Sequence, residues 1–159
     1  MLDKLYYTKF PIFNLKVTLN NNAIERVEFL PKDAILIYEP LVANDLAKAV
    51  MVELDQYLCN PRHKFELPLD IIGTEFQKRV WDLMLKIEPG QPLTYKEVAL
   101  KLNTAPRAVG GACGRNNLPL FIPCHRVIGS NNNLCGFVQG CDPKYLAIKK
   151  WLLAHENTI

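Results

Sequence analysis

Cys124 and His125 stand side by side in Pro123-Cys124-His125-Arg126-Val127, directly after a proline and between two apolar segments. A thiolate is a strong nucleophile, and an adjacent imidazole that takes or shares the thiol proton raises the thiolate fraction above that of a free cysteine, whose pKa is about 8.5. Pro123 fixes one backbone angle just ahead of the sulfur. The plainer reading is a buried structural cysteine, the common fate of cysteine in an intracellular chain. The pentapeptide alone favours that plainer reading, and features downstream of Gly73 reverse the balance.

With 159 residues, 49% hydrophobic and 22% charged, the chain has an ordinary globular composition that supports a real core in one or two small domains. No apolar run is long enough to cross a bilayer, and the first residues do not form a signal-type apolar core, so a soluble, non-secreted protein without a membrane partner is expected. The five cysteines, Cys59, Cys113, Cys124, Cys135 and Cys141, are odd in number and suit a reducing compartment better than a disulfide framework. None forms a Cys-x-x-Cys pair and none is flanked by histidine at zinc-finger spacing, so no metal is expected. Residues 1–72 carry eight Lys/Arg against ten Asp/Glu, a net of −2, whereas residues 73–159 carry eleven against six, a net of +5. Basic charge that travels with the reactive cysteine suits a polyanionic partner, although a solvated basic face gives the same count.

Several elements must position this cysteine. Ile12-Phe13, the alternation Leu15 to Leu19 and Ile24 to Phe29 read as strands of a hairpin or meander, turned by Asn20-Asn21-Asn22. After Pro40, the residues Leu46, Ala47, Val50, Leu54, Tyr57 and Leu58 fall at helical spacing, with Asn44 or Asp45 as cap, and one face should cover the sheet. Asn60-Pro61 breaks that helix, and an extended segment Phe65 to Leu69 leads to a domain boundary at Gly73. Thr74 then caps a helix to about Ile87 with Phe76, Val80, Trp81, Met84 and Leu85 on one face. Thr94 caps a short helix from Tyr95 to about Leu102, with Glu97 completing a capping box. A second short helix runs from about Arg107 toward Arg115, which suggests a helix-turn-helix. A last helix, about Lys144 to His155, carries Leu146, Trp151 and Leu152.

The second helix of that pair is unsuited to reading base edges in a major groove, since Arg107-Ala108-Val109-Gly110-Gly111-Ala112-Cys113 has almost no reading side chain after Arg107. Glycine inside a helix costs about 1 kcal/mol relative to alanine. Gly110-Gly111 therefore calls for close approach, either to an external surface or to another helix inside the protein, and the sequence does not separate the two. Were the surface DNA, the small face would suit the minor groove and Arg107 could enter the base stack, offsetting the unstacking cost of an extruded base.

Taken together, the chain resembles the O6-alkylguanine-DNA alkyltransferases over about Leu67 to Glu156. The resemblance is carried by Gly73-Thr74-Glu75-Phe76-Gln77, Val80-Trp81, Thr94-Tyr95, Arg107-Ala108-Val109-Gly110, Asn116, Ile122 to Gly129 around Pro-Cys-His-Arg-Val, and Trp151 to Glu156. It implies an α/β (α+β) fold with a ribonuclease-H-like sheet and helix in residues 1–72 and a helical DNA-binding, alkyl-accepting domain with a helix-turn-helix in residues 73–159. The implied activity is irreversible, stoichiometric transfer of an alkyl group from O6-alkylguanine in DNA to Cys124 after base flipping, with O4-alkylthymine left open. His125 would take the thiol proton through a water, Glu156 would orient His125, Tyr95 would donate to a guanine ring nitrogen, and Asn116 would brace the turn before the cysteine. Arg107 would fill the gap left by the flipped base. Ala108 and Gly110 would lie on the DNA, with Gln77, Lys96, Ser130 and the Thr104 backbone at phosphate or sugar. The carbonyls of Cys124 and Val127 would read the guanine amino group, and Phe137 and Val138 would frame the alkyl pocket. The resemblance further implies no cofactor, double-stranded alkylated DNA bound through its minor groove, a monomer, and a cytoplasmic location, or a nuclear one in a eukaryote.

Departures from the family pattern cluster downstream of the cysteine and in the turn before it. Asn116-Asn117 replaces the usual Asn-Pro, Phe137 replaces a tyrosine, the glycine-rich loop is altered to Val138-Gln139-Gly140, and Cys141 to Tyr145 reads as a short insertion. Three other classes remain to be weighed: a lesion-binding module without transfer, which would lack the cysteine; a cysteine hydrolase, which would turn over repeatedly; and a helix-turn-helix regulator, which would need reading side chains on its second helix.

Overall fold

Alternating apolar residues in the first third of the chain build a three-stranded antiparallel sheet from β1 (Asp3–Tyr7), β2 (Phe13–Leu19) and β3 (Ile24–Pro31), in the order β1-β2-β3. The computed structural model describes residues 2–37, 44–134 and 141–157. The chain divides into two compact units, Met1–Ile71 and Ile72–Ile159. The sheet is the expected meander, with Leu5 opposite Val17, Val17 opposite Val27, and Leu15 opposite Tyr7 and Phe29, all of them buried. Asn20 makes the β2–β3 turn, its side-chain oxygen accepting from the backbone N–H of Asn22 and Ala23, both at 2.8 Å.

Helix α1 (Asp45–Cys59) is capped by Asn44, whose side chain accepts from the N–H of Leu46 and Ala47. It docks on the first unit's sheet through the Tyr7 hydroxyl, which donates to Asp55 at 2.7 Å, and through Phe10, packed edge-on to Tyr57. Among the described residues the extended segment that follows joins the sheet at Leu69, bridged to Ile24.

The second unit starts with α2 (Glu75–Met84), entered through a complete capping box between Thr74 and Gln77. The helix stops at Met84 rather than Ile87, and Leu85, expected on the buried face, is 43% exposed. Tight bonds from Lys86 N–H to Leu83 O and from Ile87 N–H to Met84 O unwind the chain ahead of Pro89-Gly90, which turns Ile87 inward and frees its carbonyl. Next come β4 (Leu93–Thr94), α3 (Tyr95–Leu102), α4 (Pro106–Gly114), a 3-10 turn (Cys124–Arg126), β5 (Val127–Ile128), a second 3-10 turn (Ser130–Asn132) and α5 (Pro143–Asn157). Trp81 ties α2 to α4, its indole N–H donating to Ala112 O at 3.0 Å. Among the described residues no helix is long and apolar enough to cross a membrane. Cys59, Cys113 and Cys124 are free, whereas Cys141 is disulfide-bonded.

Gly73 leaves room for the indole that holds α4. A Cβ there would lie 2.5 Å from Trp81 Cζ3 and 2.6 Å from Cη2. Gly73→Ala is therefore expected to destabilise the protein by about 1–3 kcal/mol, measured by urea unfolding, and to shift the tryptophan fluorescence.

Candidate active site

The two short helices form the expected pair. Thr94 caps α3 in a capping box with Glu97, Asn103 ends it in the left-handed conformation at φ 54°, and Pro106 opens α4 at its first turn. Val109, Ala112 and Cys113 face inward. On the other side of α4, Arg107 and Gly111 are exposed and Ala108 and Gly110 are half-buried. A Cβ on Gly110 or on Gly111 would meet nothing within 4 Å. Among the described residues no helix packs against the double glycine, which favours the external surface of the two readings left by the sequence.

From α4 the chain reaches the cysteine through a tight loop held by one side chain. Asn116 is buried; its amide donates to Ile122 O at 2.9 Å, and its oxygen accepts from Leu118 N–H at 2.9 Å. Within that loop the buried Leu120 sits at φ 77°, a strained conformation for a branched side chain that the surrounding bonds must hold. Pro123 follows at φ −80°, ψ 66°, with Cys124 N–H bonded back to Ile122 O at 2.8 Å, which makes it the centre of an inverse γ-turn. The 3-10 turn then presents Cys124 and His125 inward. Immediately afterwards β5 pairs in parallel with β4, Leu93 with Val127 and Thr94 with Ile128. This two-residue pairing fixes the start of α3, and so Tyr95, beside the cysteine segment.

His125 and Glu156 are fully buried, and Nε2 lies 2.7 Å from Glu156 Oε1. The carboxylate can only accept, so the ring hydrogen is assigned to Nε2 and Nδ1 keeps its lone pair. Nδ1 is buried and has no hydrogen-bond partner among the described residues. Burial pushes the His125 pKa down, and only part of this is offset by Glu156, so the ring is neutral near pH 7. Glu156 remains ionised: burial opposes it, but the His125 bond and the Arg126 guanidinium hold it below the usual carboxylate range. Because the imidazole is neutral, the ion pair proper is with Arg126, which donates through Nε to Oε2 at 3.0 Å and through Nη2 to Oε1 at 2.9 Å.

Burial raises the Cys124 thiol to about 11, against an Asn116 hydrogen bond and the Lys149 ammonium, which pull it down. Near neutral pH the sulfur therefore carries its proton and needs a base to react. Tyr95 is pushed well above the usual phenol range by burial and by the two nearby thiols, Cys113 and Cys124, so its hydroxyl stays a donor. Lys149 also belongs here, and its spacing is the one signal in the sequence that could have found it: it shares one α5 face with Leu152 and Glu156. Lys149 is fully buried, donates to Val127 O at 2.7 Å and lies 5.8 Å from the Tyr95 ring centroid. Burial lowers its pKa to about 8, while the two thiols act in the opposite direction.

The structure thus brings together Cys124, His125, Glu156, Asn116, Tyr95 and Val127. The other expected residues stand elsewhere: Lys96 and Ser130 are exposed, Thr104 is half-buried in the turn between α3 and α4, and the Gln77 side-chain oxygen closes the capping box of α2. The Cys124 carbonyl accepts from Val127 N–H, and the Val127 carbonyl from Lys149. Phe137 and Val138 lie outside the described residues. Adding a methyl to the open face of α4 meets no obstacle, so Gly111→Ala is expected to raise the free energy of unfolding by about 0.5–1 kcal/mol. An unchanged or lower urea midpoint would show that some part of the protein occupies that space.

Residues 75–158 match the family model described as 6-O-methylguanine DNA methyltransferase, DNA binding domain. Over 119 residues the chain is 39% identical to a methylated-DNA–protein-cysteine methyltransferase of Saccharomyces cerevisiae, an alignment covering 70% of this chain and 61% of the yeast protein. This chain thus spans about three fifths of the length of that relative. A Methanosarcina barkeri protein of the same name is 35% identical over 151 residues, with 91% of this chain and 96% of that protein covered. The fold is similar to the crystal structure of Mycobacterium tuberculosis OGT in complex with DNA, with a TM-score of 0.78, 30% identity, and coverage of 94% of this chain and 89% of that one. Buried thiol, neutral imidazole and open helix face stand on a chain that belongs to the 6-O-methylguanine DNA methyltransferase family.

Proposed function

We propose that this chain repairs DNA by direct reversal, moving the alkyl group of O6-alkylguanine in duplex DNA to Sγ of Cys124. The observation that carries the reading is the buried Cys124-His125-Glu156 arrangement, in which a protonated thiol shares the site with a neutral imidazole whose Nδ1 keeps its lone pair and has no hydrogen-bond partner among the described residues. The thiol proton passes through a water to Nδ1 while sulfur attacks the alkyl carbon; the C–S bond forms as the C–O6 bond breaks and its electron pair stays on the base. Tyr95 donates to a ring nitrogen, an interaction that strengthens as charge builds on the leaving guanine. His125 gains the thiol proton, the base departs carrying the C–O6 electron pair and held by the Tyr95 hydrogen bond, and exchange with solvent returns the proton from His125 to the base. The thioether is stable, so each molecule reacts once, without a metal or other cofactor.

The reading extends to the partner. The side-chain-poor face of α4 suits the minor groove, and Arg107, exposed at the start of that helix, is placed to fill the gap left by an extruded base. Ala108 and Gly110 lie against the groove, with Gln77, Lys96, Thr104 and Ser130 as phosphate or sugar contacts and Val127, Phe137 and Val138 around the base. A monomer acts on one lesion, in the cytoplasm or in a eukaryotic nucleus. The first domain, residues 1–72, is ribonuclease-H-like, and residues 73–159 carry the reaction.

Intact mass and peptide mapping after mixing with excess duplex containing one O6-methylguanine test the transfer. One added methyl on Cys124 and no further turnover are expected; Cys124→Ala should take up none while still binding the duplex. Binding without modification of the natural sequence would leave a recognition module, and repeated turnover on an ester would indicate a hydrolase. Arg107→Ala is expected to slow repair in duplex far more than attack on free O6-alkylguanine base, and equal losses on the two substrates would remove the intercalating role.

A further inference from the structure

Arg126 makes more bonds in the site than orientation of its own side chain requires. Nε and Nη2 clamp both oxygens of Glu156, at 3.0 and 2.9 Å, and Nη1 donates to Ile87 O at 2.8 Å, the carbonyl that the early end of α2 leaves available. Glu156 Oε1 is shared: it takes the Arg126 bond and, at 2.7 Å, the His125 Nε2 hydrogen. Arg126 itself is only 8% exposed, and Glu156 and His125 are fully buried. A carboxylate in such surroundings must be paired or take up a proton.

We infer that Arg126 is a positioning residue that keeps Glu156 ionised and in register, so that the ring hydrogen of His125 stays on Nε2 and Nδ1 remains the acceptor for the Cys124 proton. Without the guanidinium, the His125-Glu156 pair has two ways to gain a proton. The imidazole becomes imidazolium, or the carboxyl is protonated, donates to Nε2 and drives the ring hydrogen to Nδ1. In both states Nδ1 carries a hydrogen and cannot accept one from sulfur. The charged groups acting on His125 are Glu156 and Lys149 from α5 and Arg126 from its own turn; Glu156 favours the imidazolium, whereas Arg126 and Lys149 disfavour it, after burial itself. Removing Arg126 thus shifts the balance toward a protonated Nδ1.

This inference rests on the proposed role of His125, and its test is read separately from alkyl transfer. The ring nitrogens of His125 are followed by ¹⁵N NMR against pH in the natural protein, in Arg126→Met and in Arg126→Lys, with single-turnover methyl transfer from an O6-methylguanine duplex run in parallel. In the natural protein a neutral ring with hydrogen on Nε2 is expected at about pH 7. In Arg126→Met, Nδ1 becomes protonated at higher pH, the acid limb of the transfer rate moves the same way, and at about pH 6 the rate falls about tenfold more than at about pH 8. Arg126→Lys, which keeps the charge, restores part of both shifts. An unmoved Nδ1 titration in either variant overturns the inference. Should Arg126→Met not fold, the lysine variant and the natural protein still decide it, because a ring hydrogen on Nδ1 or an imidazolium in the natural protein at neutral pH also overturns it. Absent methyl transfer with the expected titration would refute the proposed function and leave the role of Arg126 standing.

Discussion

A single buried carboxylate organises the second half of this molecule. Ionised Glu156 cannot be left unpaired in an apolar interior without a penalty of several kcal/mol, so whatever surrounds it must supply hydrogens. His125 and Arg126 do so from consecutive positions of one turn, and Arg126 extends the bonding to the carbonyl of Ile87. Three distant stretches of chain, the exit of α2, the cysteine turn and α5, are in this way held to one another by polar bonds rather than by apolar packing alone. Such bonds are directional, and that is what a site needs if one nitrogen of an imidazole must point the right way.

Around this clamp the local chemistry is arranged so that the proposed nucleophile rests in its unreactive form. Cys124 keeps its proton because burial outweighs the stabilisation offered by Asn116 and Lys149. A resting thiol is protected from oxidation, which requires the thiolate, and is activated only when a base takes its proton. Lys149 and Tyr95 complete the surroundings from α5 and α3, and the short parallel pairing of β4 with β5 sets the distance between the tyrosine and the sulfur segment. Burial alone does not decide these protonation states; the neighbours decide how far each group yields to it.

What the sequence made legible was local. The caps at Asn44, Thr74 and Thr94 and the turn at Asn20 depend on residues three or four positions apart, and each forms as expected. The strand alternation likewise carried through to the sheet register. The pairing of Leu93-Thr94 with Val127-Ile128 was invisible, since two residues have no period to detect. Lys149 was passed over because a lysine inside a helix is ordinarily solvated, and only its shared face with Leu152 and Glu156 hinted otherwise. Glu156 on its own would have been dismissed for the same reason; the resemblance singled it out, while its partnership with Arg126 needed the fold. Helix α2 ends three residues before its apolar spacing implies because Lys86 and Ile87 bond back only three residues ahead of Pro89-Gly90, and the carbonyl so freed meets a guanidinium far away in sequence.

The bare face of α4 also has a meaning for variation. At Gly110 and Gly111 the described residues set no steric limit on a Cβ, and alanine would even strengthen the helix. A library of variants sorted for thermal resistance alone would therefore drift toward filling those positions, while one sorted for repair would keep them empty if the face docks on DNA. The contrast between the two outcomes would map the footprint of the partner without any structure of the complex, because among the described residues nothing holds a glycine there.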